Sequence, residues 1–175
     1  GQVEITAHAQ PIRMGSLYGA DPSVLEPLCT AITQGGIPAE TSPSIGRDLW
    51  AKMLYNCALN PLGALLHVPY GEIASRTHSR EVLEAVVREI FQVLKATPYE
   101  TYWDQASDYL EIFYRDLLPP TSRHESSMLQ DLRAGRPTEI DSLCGAVAKL
   151  GNENGTATPV NTALTDLVRA CTAAA

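Results

Sequence analysis

The sequence predicts a mainly α-helical chain with a small β/α segment at its N-terminal end. Three observations predict it. Apolar residues recur at helical spacing from Ser44 onward. Before that point, Val3, Ile5, Ala7 and Ala9 alternate with more polar neighbours, as in a strand. Between the extended stretches, Asp21-Pro22-Ser23 and Gly35-Gly36 bracket one helix with a start signal and a stop signal.

In chain order, residues 3–14 read as extended structure, interrupted by Pro11 and resumed by Ile12 and Met14, as in a hairpin or a bent strand pair. Asp21 is the expected N-cap, with Pro22 at the first helical position. Val24, Leu25, Leu28 and Ile32 supply an apolar stripe, and Gly35-Gly36 ends the helix. Ile37 to Thr41 suits a further short strand. A long helix is expected from about Ile45 to Val68, disturbed at Pro61, which lacks an N–H and biases Asn60 away from helical geometry. A kink or break there, or a helix end, would free backbone groups. A second helix covers Ser79 to Lys95, with Val82, Val86, Ile90 and Val93 on one side. A third lies within Tyr102 to Leu117, and Pro119-Pro120 marks the loop after it. Ser126 to Ala134, closed by Gly135, makes a short helix. Pro137 to Leu150, ended by Gly151, makes another, and Pro159 to Thr172 makes the last. Two domains follow: residues 1–43, too short to close a core alone, and a helical domain over residues 44–175.

Composition narrows the function. The 175 residues carry a formal charge of -7, which opposes nucleic acid as the main partner, because phosphate binding needs clustered Lys and Arg. No basic amphipathic stretch suggests a membrane surface, and the longest apolar run, Leu49 to Val68, contains Lys52, Asn56, Asn60 and Pro61, too polar for a span. Cys29, Cys57, Cys144 and Cys171 are far apart and match no zinc spacing. They read as buried reduced thiols, Cys57, Cys144 and Cys171 among apolar residues, which suits the cytoplasm. His8, His67, His78 and His124 are scattered, so no metal site is expected. No glycine-rich nucleotide loop is present, and Gly1-Gln2-Val3-Glu4 is no signal peptide but opens as if the chain were entered partway.

Two constellations can carry chemistry. In Lys52-x-x-x-Asn56-x-x-x-Asn60 each step turns a helix by about 400°, so the three side chains form one stripe. Trp50, Met53, Leu54, Cys57 and Ala58 oppose it. The stripe fits either a solvated face or a cleft for a small polar ligand. Amides donate and accept without a charge to desolvate, and Leu49, Leu59 and Gly63 lie on or beside this face. The second constellation runs from Ser127 to Glu139. Ser127-x-x-Gln130 has capping-box form, and Glu139 falls in the first turn of the following helix, where the macrodipole favours a carboxylate. Taken alone, that reads first as ordinary helix-entrance chemistry.

Together these segments resemble the ketopantoate reductase (2-dehydropantoate 2-reductase) family. The resemblance rests on Leu49-Trp50-Ala51-Lys52, Asn56-Cys57-Ala58-Leu59-Asn60-Pro61-Leu62 and Pro69-Tyr70-Gly71-Glu72. It continues through Ser127-Met128-Leu129-Gln130-Asp131, Arg136-Pro137-Thr138-Glu139-Ile140-Asp141, Gly145 and Gly155-Thr156-Ala157-Thr158-Pro159-Val160-Asn161. It implies an N-terminal Rossmann domain holding NADPH and a helical domain of the 6-phosphogluconate-dehydrogenase-C-terminal-like type, with a keto acid in the cleft between them. Residues 1–43 would then be the end of a truncated Rossmann domain whose glycine-rich turn is missing, and the piece alone is expected to be inactive. Lys52 matches the general acid toward the keto oxygen. Asn56 and Asn60 match amides that hold substrate hydroxyl and carbonyl groups. Ser127 matches a hydroxyl on the substrate carboxylate, and Glu139 a glutamate near the reacting oxygen and the lysine. Tyr70 and Cys144 depart from the family pattern, each standing where an Asn is common. Reduction of ketopantoate to pantoate, for pantothenate and coenzyme A synthesis, is the leading expectation. The alternatives are another branched 2-keto acid, or a non-catalytic helical module that forms a homodimer.

Overall fold

The structure, a computed structural model, describes residues 11–172. The expected alternation over Val3 to Ala9, and His8 within it, lie outside the described residues. The chain divides into two compact units, Gly1–Leu49 and Trp50–Ala175.

In the first unit, strand β1 (Ile12–Met14) leads through a 3-10 turn (Pro22–Leu25) into helix α1 (Glu26–Gln34) and then strand β2 (Ala39–Thr41). The strands are parallel, pairing Ile12 with Ala39 and Met14 with Thr41. A parallel pair needs a crossover, and α1 provides it. Within the described residues, then, β1 finds its partner across α1 and not in a hairpin. Asp21 caps as expected, accepting from the Ser23 N–H at 2.9 Å, and Gly36 beyond the helix end takes φ +95°, a conformation that favours glycine. The expected apolar stripe is not a buried one: Val24 is 73% and Leu28 50% exposed, and Cys29 is the buried residue of α1. Asp48 joins the start of the next helix to this unit, accepting from Arg13 Nη1 at 2.6 Å and Ser42 Oγ at 2.5 Å.

Helix α2 (Ile45–Leu66) is continuous through Pro61. The predicted disturbance there is no break. Pro61 cannot donate to the Cys57 carbonyl, and the Cys144 thiol approaches that oxygen at 3.8 Å instead. The helix ends in a Schellman turn: His67 adopts φ 56° and the Val68 N–H returns to the Gly63 carbonyl at 3.3 Å.

Helices α3 (Tyr70–Ser75), α4 (Thr77–Lys95), α5 (Ala106–Ile112), α6 (Ser127–Arg133), α7 (Cys144–Glu153) and α8 (Pro159–Thr172) complete the second unit. Its core takes Leu54, Cys57 and Leu59 of α2, Leu83, Val86 and Ile90 of α4, Tyr109 of α5 and Val147 and Val168 of α7 and α8. Beyond α5 one π-helical turn, Phe113–Leu117, keeps Phe113 buried.

Four expectations need correction. The N-cap of α6 is Ser126, not Ser127: the Ser126 hydroxyl accepts from the Leu129 N–H. Pro137 does not start a helix; a 3-10 turn (Ile140–Ser142) precedes α7. Gly151 does not end α7, which runs on to Glu153. A Cβ at Gly151 would lie 2.7 Å from the Thr156 carbonyl oxygen, so this glycine serves a close approach of the following loop. Cys171 is exposed, whereas Cys29, Cys57 and Cys144 are buried, and all four are free thiols. Among the described residues, no helix is long and apolar enough to cross a membrane.

Candidate active site

All five residues singled out from the sequence lie in the second unit. Helix α2 carries three of them on one face, and that face changes character along its length. Lys52 is exposed, Asn56 half-buried and Asn60 only 3% exposed. The reason lies in the rest of α2. Its first half buries one side only, but Cys57 to Ala64 are buried all round. The polar stripe therefore runs from solvent into the core, an arrangement a simple solvated face does not have.

Asn60 is held twice. The Tyr70 hydroxyl donates to Asn60 Oδ1 at 2.7 Å, and the Ser126 hydroxyl reaches the Asn60 backbone carbonyl at 3.4 Å. Tyr70 is itself fixed, because its N–H donates to the His124 carbonyl at 3.1 Å and the next N–H, of Gly71, to the Ser122 carbonyl at 2.8 Å. Its ring packs edge-on to Tyr55, centroids 6.0 Å apart, and 5.4 Å from His124. Tyr55 in turn hydrogen-bonds Thr121. Burial, and then the neighbouring Tyr55, push the Tyr70 phenol well above the ordinary tyrosine range, so it remains a protonated donor.

The other members are less constrained. Among the described residues, the side chains of Lys52, Asn56, Ser127 and Glu139 have no hydrogen-bond or ion-pair partner. Ser127 is exposed at the first position of α6, one residue past the buried cap Ser126. Glu139 is exposed and precedes the 3-10 turn, its carbonyl accepting from Ser142 at 3.0 Å and Leu143 at 3.1 Å; it is not in the first turn of an α-helix. Lys52 and Glu139 are thus not paired here, which leaves both groups available to a third. Catalytic contacts commonly close only when substrate is bound.

A groove of about 330 Å³ opens beside Thr138, Ile140 and Asp141. Its arginines are already engaged, Arg136 with Asp131 at 2.8 Å and Arg169 with Asp141 at 2.6 Å. None of Lys52, Asn56, Asn60 or Ser127 lines it, so it lies apart from the stripe. At the 3-10 turn after β1 the Asp21 carboxylate already takes the Ser23 N–H, so that N–H is not open to an anion.

Sequence reasoning overlooked Ser126 and the task of Tyr70. A weak signal existed for Ser126: it is a capping residue type at the expected start of the helix, although Leu129 three residues on completes no capping box. None existed for the Tyr70–Asn60 bond, because the spacing of ten residues crosses a helix end.

The family model described as ketopantoate reductase PanE/ApbA C terminal matches residues 44–172. A 2-dehydropantoate 2-reductase of Aquifex aeolicus (strain VF5) is 39% identical over 171 residues, 97% of this chain and 55% of that protein. Among solved structures, a PanE/ApbA family ketopantoate reductase from Ralstonia eutropha JMP134 matches with TM-score 0.76 and 30% identity, covering 95% of this chain and 53% of that one. D-mandelate dehydrogenase in a ternary structure with NADH and anilino(oxo)acetate matches with TM-score 0.81 and 25% identity, covering 93% and 66%. The chain spans about half the length of the curated relatives it matches.

Proposed function

Because the chain belongs to the ketopantoate reductase PanE/ApbA C-terminal family, we propose that it is the substrate-binding part of an NADPH-dependent 2-dehydropantoate 2-reductase. The observation that carries this reading is the graded stripe of α2, an exposed ammonium followed by a half-buried and a buried amide. Reduction of a ketone leaves negative charge on oxygen. The Lys52 ammonium stabilises that charge and then gives up its proton to the oxygen. Asn56 and Asn60 hold the substrate's hydroxyl and carbonyl groups, and the exposed Ser127 hydroxyl takes its carboxylate. Glu139, brought near Lys52 when substrate binds, keeps the lysine charged. A nicotinamide cofactor, held mainly by an N-terminal domain of the full-length protein, would supply the hydride. Pantoate production for pantothenate and coenzyme A, in the cytoplasm, is the biological setting of this reading.

A second reading, reduction of a different 2-keto acid, is favoured by Tyr70. A phenol is larger than the amide it replaces, and the structural neighbour with TM-score 0.81 was captured with anilino(oxo)acetate, an aromatic ligand.

The test is NADPH oxidation by the full-length protein with ketopantoate, 2-oxoisovalerate and benzoylformate, beside Lys52→Ala. Turnover with ketopantoate that falls about 10²–10⁴-fold in kcat in the variant supports the first reading, that being the usual size of a general-acid contribution. Preference for another keto acid with the same fall supports the second. A Lys52→Ala enzyme of undiminished kcat refutes the assigned chemistry.

A further inference from the structure

We propose that Tyr70 is a positioning residue: its hydroxyl fixes the side-chain amide of Asn60, so that Asn60 meets the substrate as a hydrogen-bond donor only. This rests on the functional reading above and adds to it the part played by a residue outside the five.

An asparagine amide offers a carbonyl oxygen and an NH₂ that differ little in shape, and a rotation by half a turn exchanges them. Which end faces a ligand is decided by what holds the other end. At Asn60 that end is the oxygen, taken by the Tyr70 hydroxyl at 2.7 Å. Among the described residues Asn60 Nδ2 has no acceptor, and it is not among the buried polar atoms sealed from solvent without a partner. The free end of the amide is therefore its donor. A donor suits the carbonyl or carboxylate oxygens of a 2-keto acid, which accept and cannot donate.

The geometry behind the hydroxyl is rigid. Tyr70 is 5% exposed, its N–H is bonded to the His124 carbonyl, and aromatic rings flank it. The Ser126 hydroxyl steadies the Asn60 backbone from another side. If the phenol oxygen instead accepted from the amide, the Tyr70 hydroxyl proton would need another acceptor, and among the described residues Asn60 Oδ1 is the one it has.

The experiment is a double-mutant cycle in the full-length protein, with Tyr70→Phe, Asn60→Ala and the double variant. Each is assayed for kcat and KM on the best of ketopantoate, 2-oxoisovalerate and benzoylformate. Phenylalanine keeps the ring contacts and removes only the hydroxyl, and a thermal melt checks that the fold survives. The expected result is that Tyr70→Phe lowers kcat/KM about tenfold in the wild-type background and less than twofold in the Asn60→Ala background. A wholly structural Tyr70 would instead lower both equally. Equal falls, or no fall in the wild-type background, overturn the role of Tyr70 while leaving the reductase reading intact. Absence of turnover by the wild-type protein with all three acids overturns both. The outcomes of the two ideas are thereby separate.

Discussion

Replacing Glu89 by alanine is expected to destabilise the helical unit by about 1.5–5 kcal/mol, the combined cost of the buried N–H and the helix cap it leaves without an acceptor. Glu89 sits on α4, 7% exposed, and its carboxylate caps the start of α8 from across the core. Oε1 accepts from the Val160 N–H at 2.8 Å, and Oε2 from the Asn161 N–H at 2.9 Å and from Asn161 Nδ2 at 2.7 Å. The carboxylate thus does the work that a side chain preceding α8 would otherwise do. Truncation orphans the buried Asn161 N–H, at about 1–3 kcal/mol. It also removes the cap from the half-buried Val160 N–H, at about 0.5–2 kcal/mol. Asn161 Nδ2 retains the Val86 carbonyl at 3.5 Å and loses less. Urea unfolding followed by far-ultraviolet circular dichroism measures the change. With an m-value of about 2 kcal/mol/M, the midpoint should fall by about 0.75–2.5 M. Glu89→Gln keeps the volume and one acceptor and should fall between the two. A Glu89→Ala midpoint within about 0.5 M of the parent would refute the assignment of Glu89 as the cap of α8.

Three further outcomes follow from the same packing. Cys144→Ala leaves the Cys57 carbonyl, already deprived of a helical donor by Pro61, without the thiol 3.8 Å away; a loss of about 1–3 kcal/mol is expected in the same urea assay. Gly151→Ala forces a Cβ to within 2.7 Å of a backbone oxygen and should cost about 1–3 kcal/mol by overpacking, read as a lowered Tm. At alkaline pH, Tyr55, Tyr70 and Tyr109 are raised, chiefly by burial, and Tyr114 is pushed up to about 12 by burial and then by Glu84. The folded chain keeps these protons after the unfolded chain has released them. Stability is therefore insensitive to these groups below about pH 10 and falls above it, for Tyr114 between about 10 and about 12. Absorbance of ionised tyrosine and loss of helix should rise together in a pH titration; full ionisation of the folded protein at pH 10 would contradict this.

Much of the layout was legible locally. Asp21 with Pro22, the double glycine after α1 and the span Pro159–Thr172 all follow from caps, breakers and helical spacing, which act within a few residues. The stripe of Lys52, Asn56 and Asn60 was visible for the same reason: a helix repeats every 3.6 residues wherever it lies. Glu89 was half legible, since it sits between Val86 and Val93 on the apolar side of α4, where an unpartnered carboxylate is costly.

Composition and periodicity alone thus determined that the chain is mainly helical and put one lysine and two amides on one face of α2. The tertiary structure decided what each does there. It sank Asn60 into the core and tied it to Tyr70, chose Ser126 over Ser127 as the cap, assigned Glu89 to a helix 71 positions away, and made Gly151 a contact point instead of a stop. The division has a physical cause. Propensity and capping are settled by a residue's immediate neighbours, whereas burial and the partners of buried polar groups depend on which surfaces close-pack, and that is fixed only when distant helices meet.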